Sequence, residues 1–190
     1  MHQKIGIDID GVLTKEGKKE NNIWLQKIRE HIGEPIKRKK EVYDFKEAFN
    51  LTTQQVENFI NKNIEEIYIN IPPAPGAKEV LDKFKEKNLT IILITARQDK
   101  YNKLTKKWLN KYNFTYDSLY HREKKAPLAK QLGIELFIED HKQNTKELLR
   151  AGIPVIVVDK YHNRNISSSM VNRAKNWAEI EKIVNNYFNL

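Results

Sequence analysis

The segment Thr90-Ile91-Ile92-Leu93-Ile94-Thr95 narrows the fold more than any other feature, because it is apolar at successive positions rather than alternate ones. Successive strand side chains point to opposite faces, so a run of this kind is covered on both. Similar runs recur at Leu136-Phe137-Ile138 and Val155-Ile156-Val157-Val158, with a short β-rich stretch at Lys4 to Ile9 and a weaker candidate at Ser118-Leu119-Tyr120-His121. Amphipathic helical patterns fill the intervals. Val80, Leu81 and Phe84 share a face of a helix beginning near Gly76, and Leu104, Trp108 and Tyr112 repeat at intervals of four. Shorter patterns run from Leu128 to Leu132 and from Thr145 to Ala151, and Ile180, Ile183, Val184 and Tyr187 mark a terminal helix. Strands alternating with helices predict an α/β fold, a Rossmann-like parallel sheet with helices on both faces.

Residues 15–74 interrupt this alternation. Trp24, Leu25, Ile28 and Ile32 form one helical stripe, and Val56, Phe59, Ile60, Ile64 and Ile67 form another. Thr52 and Gln55 have capping-box spacing ahead of the second stripe. The stiff stretch Pro72-Pro73-Ala74-Pro75-Gly76 then leads back into the alternating pattern. The expected layout is a core of residues 1–14 and 75–190 with a small helical insertion, 15–74, after the first strand.

Composition removes several classes of function. With no cysteine there is no disulfide, thiolate metal site or cysteine nucleophile. No stretch approaches the roughly 20 apolar residues of a membrane span, and the charged start MHQKIGIDID lacks the apolar run of a signal peptide. A cytoplasmic protein without membrane contact is the expectation. The net charge of +9 leaves nucleic acid open as a partner, with Lys37-Arg38-Lys39-Lys40 the densest basic run. Because Lys and Glu are mixed along the helical segments, solvated helix faces are the favoured explanation. The five histidines show no metal-ligand spacing, and residues 159–176 carry no functional signal.

The chemistry lies after the first strand, in Ile7-Asp8-Ile9-Asp10-Gly11-Val12-Leu13-Thr14. Strand alternation predicts that Asp8 and Asp10 share a face. Like charges so close are costly unless a cation or a reaction uses them. Open α/β sheets bind ligands at the carboxyl ends of their strands, and Gly11 permits a sharp turn there.

This stretch matches the DxDx[TV][LV][TV] signature of the haloacid dehalogenase superfamily of phosphotransferases. Three later segments extend the resemblance in the expected order: Ile94-Thr95-Ala96-Arg97, a basic residue before a helix at Lys125 (with Lys124 beside it), and Glu139-Asp140. Taken singly, each has an ordinary explanation: a cap, a solvated lysine, an acidic pair at a helix start.

The resemblance implies a phosphatase with Asp8 as nucleophile and Asp10 as general acid and base. Thr95, Ala96 and Lys125 would hold phosphoryl oxygens, and Mg2+ would sit on Asp8, Asp140 and the backbone carbonyl of Asp10. Glu139 would ligate indirectly or orient Asp140. Within the superfamily the chain resembles the 5'(3')-deoxyribonucleotidase-like group in size, in the position of the insertion and in Pro73 to Ala77. It departs from that group in having Thr14-Lys15 where an Ala-Asp pair is usual, and Glu139-Asp140 where two aspartates are usual. A nucleoside monophosphate is the implied substrate. A sugar phosphate or other small phosphorylated metabolite is the alternative within enzymes, and nucleic-acid binding or end processing the alternative outside them. Tyr43 and the aromatics Trp24, Phe45 and Phe49 of the insertion either stack on a base or form a small core; for Trp24, on its stripe, the core is favoured.

Overall fold

The computed structural model describes residues 3–17, 21–33, 36–40 and 42–190. His2, one of the five histidines, lies outside the described residues. The chain divides into two compact units, Met1–Lys15 with Pro73–Leu190, and Glu16–Pro72.

The larger unit is built on a six-stranded parallel sheet in the order β3-β2-β1-β4-β5-β6. Its strands are β1 (Lys4–Ile7), β2 (Thr90–Thr95), β3 (Ser118–His121), β4 (Leu136–Glu139), β5 (Val155–Val158) and β6 (Val171–Ala174). Every pairing is parallel, so each connection crosses a face and buries both. The helices of this unit are α4 (Ala77–Glu86), α5 (Asn102–Lys111), α6 (Lys125–Gln131), α7 (Lys142–Arg150) and α8 (Trp177–Phe188). Ala126 and Ala129 of α6 and Leu148 of α7 pack with Ile92, Ile94, Phe137, Val155 and Val157 of the sheet. α4 and α8 pack on one another, with further contacts to β2 and β6.

β1 is flanked by β2 on one side and β4 on the other. That is where the strand order reverses and where an open sheet leaves a crevice at the carboxyl ends. β1 is also tightly fitted against its neighbour. A Cβ on Gly6 would lie 2.3 Å from Phe137 Cδ2 and 3.0 Å from Ile134 Cδ1. The phenyl ring occupies the space a larger residue would need.

The strand is shorter than the sequence pattern predicts. It closes at Ile7, although Asp8 still donates its N–H to Ile138 O at 3.0 Å. Beyond it the carbonyl of Ile9 accepts from Val12, Leu13 and Thr14 at 3.3, 2.9 and 3.1 Å, and Gly11 takes φ +76°. This turn ends the alternation, so Asp8 and Asp10 do not project as strand neighbours. The last strand, β6, carries no apolar run in the sequence. It lies at the sheet edge, where Asn172 is exposed and Val171 and Arg173 are half-buried.

The two ends of the insertion are tied within the larger unit. Ala74 donates to Leu13 O at 2.7 Å, and Thr14 pairs with Pro73 in an isolated antiparallel bridge. A long excursion between such closely held points adds little loop-closure entropy.

The smaller unit consists of α1 (Ile23–Ile32), α2 (Phe45–Phe49) and α3 (Thr53–Asn70). Thr52 and Gln55 form the capping box that starts α3, each bonded to the other's backbone N–H. Leu25, Ile28, Ala48, Phe49, Phe59 and Ile67 make its core, with Trp24 and Phe45 packed against it. Trp24 and Phe45 lie 5.5 Å apart, and Phe45 lies 6.1 Å from Phe59. These aromatics fill the unit's own interior, while Tyr43 is 55% exposed. Arg38 of the basic run stacks 4.8 Å over Phe49. Among the described residues no helix is long and apolar enough to cross a membrane.

Gly6→Ala is expected to destabilise the protein by about 1–3 kcal/mol through overpacking against Phe137. Combining it with Phe137→Leu is expected to cost less than the sum of the two single changes, as measured by urea unfolding in a double-mutant cycle.

Candidate active site

The tips of β1 and β4 and the start of α6 bring three ionic side chains together. Lys125, the first residue of α6, is only 1% exposed, and its Nζ lies 2.7 Å from Asp8 Oδ1 and 2.7 Å from Glu139 Oε2. Lys124 is exposed, so the helix register selects Lys125 between the two lysines.

Asp8 is 6% exposed. Its Oδ1 also accepts from its neighbour's backbone, Ile9 N, at 2.7 Å. Among the described residues its Oδ2 accepts no hydrogen bond. Glu139 has both oxygens engaged. Oε2 faces Lys125, and Oε1 accepts from Asp140 N at 3.1 Å and His141 N at 2.9 Å.

Burial shapes the electrostatics of all three. For Asp8, loss of solvent and then the charge of Glu139 push the carboxyl well above its usual range, with Lys125 pulling the other way. For Glu139, burial works against ionisation, but the charge and hydrogen bond of Lys125 outweigh it and hold the carboxyl below its usual range. For Lys125, burial favours the neutral amine, yet Asp8 and Glu139 together hold it above the ordinary lysine range.

Asp140 completes the cluster. One oxygen from each of Asp8, Glu139 and Asp140 lies within 4.8 Å of the others, and all three residues are buried. Three buried carboxylates against one ammonium leave an excess of negative charge that suits a hard cation with oxygen ligands. Gly11 makes room for the fourth strand tip. A Cβ there would sit 2.1 Å from Asp140 Oδ2.

Asp10 lies apart from this cluster. Its carboxylate pairs with Arg97, whose Nε and Nη2 donate to Oδ2 and Oδ1 at 2.8 and 2.7 Å. Any contact of Asp10 with a cation held by Asp8 and Asp140 would therefore come from its backbone carbonyl. Thr95, at the end of β2, is fully buried and its Oγ1 accepts from Arg97 N at 3.2 Å. Ala96 is exposed beside it.

The model of the 5' nucleotidase, deoxy (pyrimidine), cytosolic type C protein family matches residues 2–187. The chain belongs to this family. It is a phosphoric monoester hydrolase with the haloacid dehalogenase-like fold. A nucleotidase of Clostridium acetobutylicum is 30% identical over 187 residues, spanning 97% of this chain and 94% of that protein. A Bacillus subtilis relative is likewise 30% identical over 187 residues, spanning 96% and 94%. Among solved structures, a haloacid dehalogenase family hydrolase of Deinococcus radiodurans, with bound phosphate and sodium, superposes with a TM-score of 0.69 at 16% identity, covering 97% of this chain and 96% of that one. A superfamily hydrolase of Geobacter sulfurreducens gives 0.64 at 18% identity, covering 96% of each chain. At these identities the two structures speak for the fold.

Two sets of contacts around this cluster could not be read from the sequence. Asn163 is fully buried, and its Nδ2 donates to Asp140 O at 2.7 Å and Val158 O at 2.8 Å. Its Oδ1 accepts from Lys160 N at 3.2 Å and Arg173 Nη1 at 3.1 Å. His162 Nε2 donates to the same Asp140 carbonyl at 3.1 Å. An asparagine in a polar loop looks like any other until the fold surrounds it. Arg97 makes the second set. It was visible at the end of the β2 motif, but not its partner 87 residues away.

Lys125→Met is expected to cost about 3–5 kcal/mol, because it strands two buried carboxylates without a counter-charge. Lys124→Met is expected to stay within about 0.5 kcal/mol of wild type. Urea unfolding of the two variants reads the contrast.

Proposed function

We propose that this hydrolase is a magnesium-dependent 5'-nucleotidase that cleaves (deoxy)nucleoside monophosphates through an aspartyl-phosphate on Asp8. The observation that carries the reading is the asymmetry of Asp8: one oxygen held by Lys125 and the Ile9 N–H, the other accepting no hydrogen bond among the described residues. A nucleophilic carboxylate needs that arrangement, fixed in direction yet open at one atom.

Asp8, Asp140 and the Asp10 carbonyl are the proposed ligands of magnesium. When bound, the ion supplies positive charge that keeps Asp8 ionised against burial and Glu139 and draws charge from the phosphoryl oxygens. Glu139, with both oxygens already used, is assigned to orientation: it holds Lys125 and the backbone of Asp140 and His141. Lys125 and the Thr95 hydroxyl are assigned to the phosphoryl oxygens, with Ala96 contributing backbone at the exposed end of the same segment. The Ile9 N–H is already given to Asp8, so it is not counted among the phosphate donors.

Asp8 Oδ2 attacks phosphorus and the ester oxygen leaves with a proton from Asp10. Water then attacks the aspartyl-phosphate as Asp10 takes back a proton, releasing phosphate and free Asp8. The family description and the name of the Clostridium relative support a nucleoside monophosphate as substrate and the cytoplasm as location. The helical unit Glu16–Pro72 is proposed as the cap. With Trp24, Phe45 and Phe49 packed in its own core, recognition of the base falls to other side chains.

Asp8→Asn is expected to lower turnover by at least about 10³-fold while the protein still folds. A variant that kept its rate would remove Asp8 as nucleophile. EDTA is expected to stop turnover and added magnesium to restore it. In a panel of phosphorylated metabolites, kcat/KM for nucleoside 5'-monophosphates is expected to exceed that for sugar phosphates; the reverse order would assign the enzyme to sugar phosphates.

A further inference from the structure

We propose that Arg97 is the positioning residue that aims Asp10 at the ester oxygen and at the attacking water. The inference rests on the aspartyl-phosphate reading and adds a residue to it. Asp10 sits on the turn past β1, its side chain 21% exposed, with nothing of a strand or helix to fix its direction. Arg97 supplies that direction. Its side chain is completely buried, and two of its nitrogens take one Asp10 oxygen each at 2.8 and 2.7 Å. A planar fork on a planar carboxylate leaves one orientation, whereas a single donor would let the carboxylate swivel.

Arg97 is itself anchored. Nη1 reaches Thr105 Oγ1 at 3.4 Å, the backbone N–H bonds Thr95 Oγ1, and the carbonyl accepts from His121 Nδ1 at 3.0 Å. His121 is 5% exposed, and its other ring nitrogen has no hydrogen-bond partner among the described residues. Among the described residues the hydrogen bond of that ring is thus to the Arg97 carbonyl. A neighbouring backbone bond, Arg122 N to Thr95 O at 2.8 Å, fixes the same corner from β3. Nε, Nη1 and Nη2 all face protein groups, which makes Arg97 a holder of Asp10 rather than a ligand of phosphate.

Each carboxylate oxygen that accepts from Arg97 retains a second lone pair. That lone pair leaves each oxygen accessible to the reacting atoms while the fork holds the carboxylate. In the first step the P–O(ester) bond breaks as the Asp8–phosphorus bond forms, and the Asp10 proton goes to the leaving oxygen. In the second step a water oxygen bonds to phosphorus, the Asp8–phosphorus bond breaks, and the water's proton goes to Asp10. Both transfers depend on its aim. A p-nitrophenolate leaving group needs no proton, so only the second transfer matters for that ester.

Rapid-mix kinetics with p-nitrophenyl phosphate and a nucleoside 5'-monophosphate separate these steps. Arg97→Ala is expected to keep a p-nitrophenol burst of about one per active site, while its steady-state rate falls roughly 100-fold. Acid-quenched phosphoenzyme should accumulate, and the nucleotide should give no burst. Arg97→Lys should recover part of the rate. Adding Arg97→Ala to Asp10→Asn should lower the rate by less than about threefold further, because both remove one function.

Loss of burst and steady-state rate in equal measure would overturn the proposal. So would full multiplication of the two defects, or unaltered rates in Arg97→Ala. If Arg97→Ala does not fold, Arg97→Lys is judged by the same burst-to-steady-state split. A wild type that forms no phosphoenzyme, together with an active Asp8→Asn, would refute the underlying aspartyl-phosphate reading instead.

Discussion

The site depends on one buried ammonium. Lys125 stands between Asp8 and Glu139 at 2.7 Å from each, with essentially no solvent around any of the three. In a medium that screens poorly, the two carboxylates repel one another, and the lysine charge between them offsets that repulsion. The same contact connects three elements: the tip of β1, the tip of β4 and the first turn of α6. Fold and chemistry are therefore held by the same interaction. A buried ionic group of this kind is poor evidence of added stability, because desolvation offsets the attraction. Its value here is in fixing where Asp8 points.

Around this triad the carboxylates divide by environment. Asp8 keeps one oxygen that accepts no hydrogen bond among the described residues. Glu139 has none, since Lys125 and two backbone N–H groups occupy it. Asp140 has its backbone carbonyl fixed by Asn163 and His162. Asp10 is turned aside to Arg97. Four acidic residues are thus given distinct surroundings, and differing surroundings are what let carboxylates of one site take different roles.

The sheet makes this possible because strand tips are positioned by ladders that run the length of each strand. Gly6 lets Phe137 pack directly over β1, so β1 and β4 lie in close register where Asp8 and Asp140 follow. The helical unit Glu16–Pro72 is inserted where Leu13 and Ala74 are joined by a backbone bond. That insertion therefore leaves the ladder of β1 undisturbed.

Much of this was legible in the chain. The apolar run Thr90–Thr95 is the strand it predicts, since a segment apolar on both faces has few places to go but the middle of a parallel sheet. The capping box at Thr52 and Gln55 forms as spaced, because capping is a contact between residues three apart. The family resemblance, carried by residue type and order, also pointed to Asp8, to Asp140 and to Lys125 with Lys124 beside it. The edge strand Val171–Ala174 was not legible, because one solvated side removes the apolar signature. Nor were the pairing of Asp10 with Arg97, the saturation of Glu139 or the grip of Asn163 on Asp140. These are contacts across 87, 14 and 23 residues, and their partners are set by the register of strands rather than by any local preference. Sequence alone determined which groups are present and which elements carry them. Tertiary structure decided which of those groups meet, because direction and distance between separate strand tips exist only once the sheet has closed.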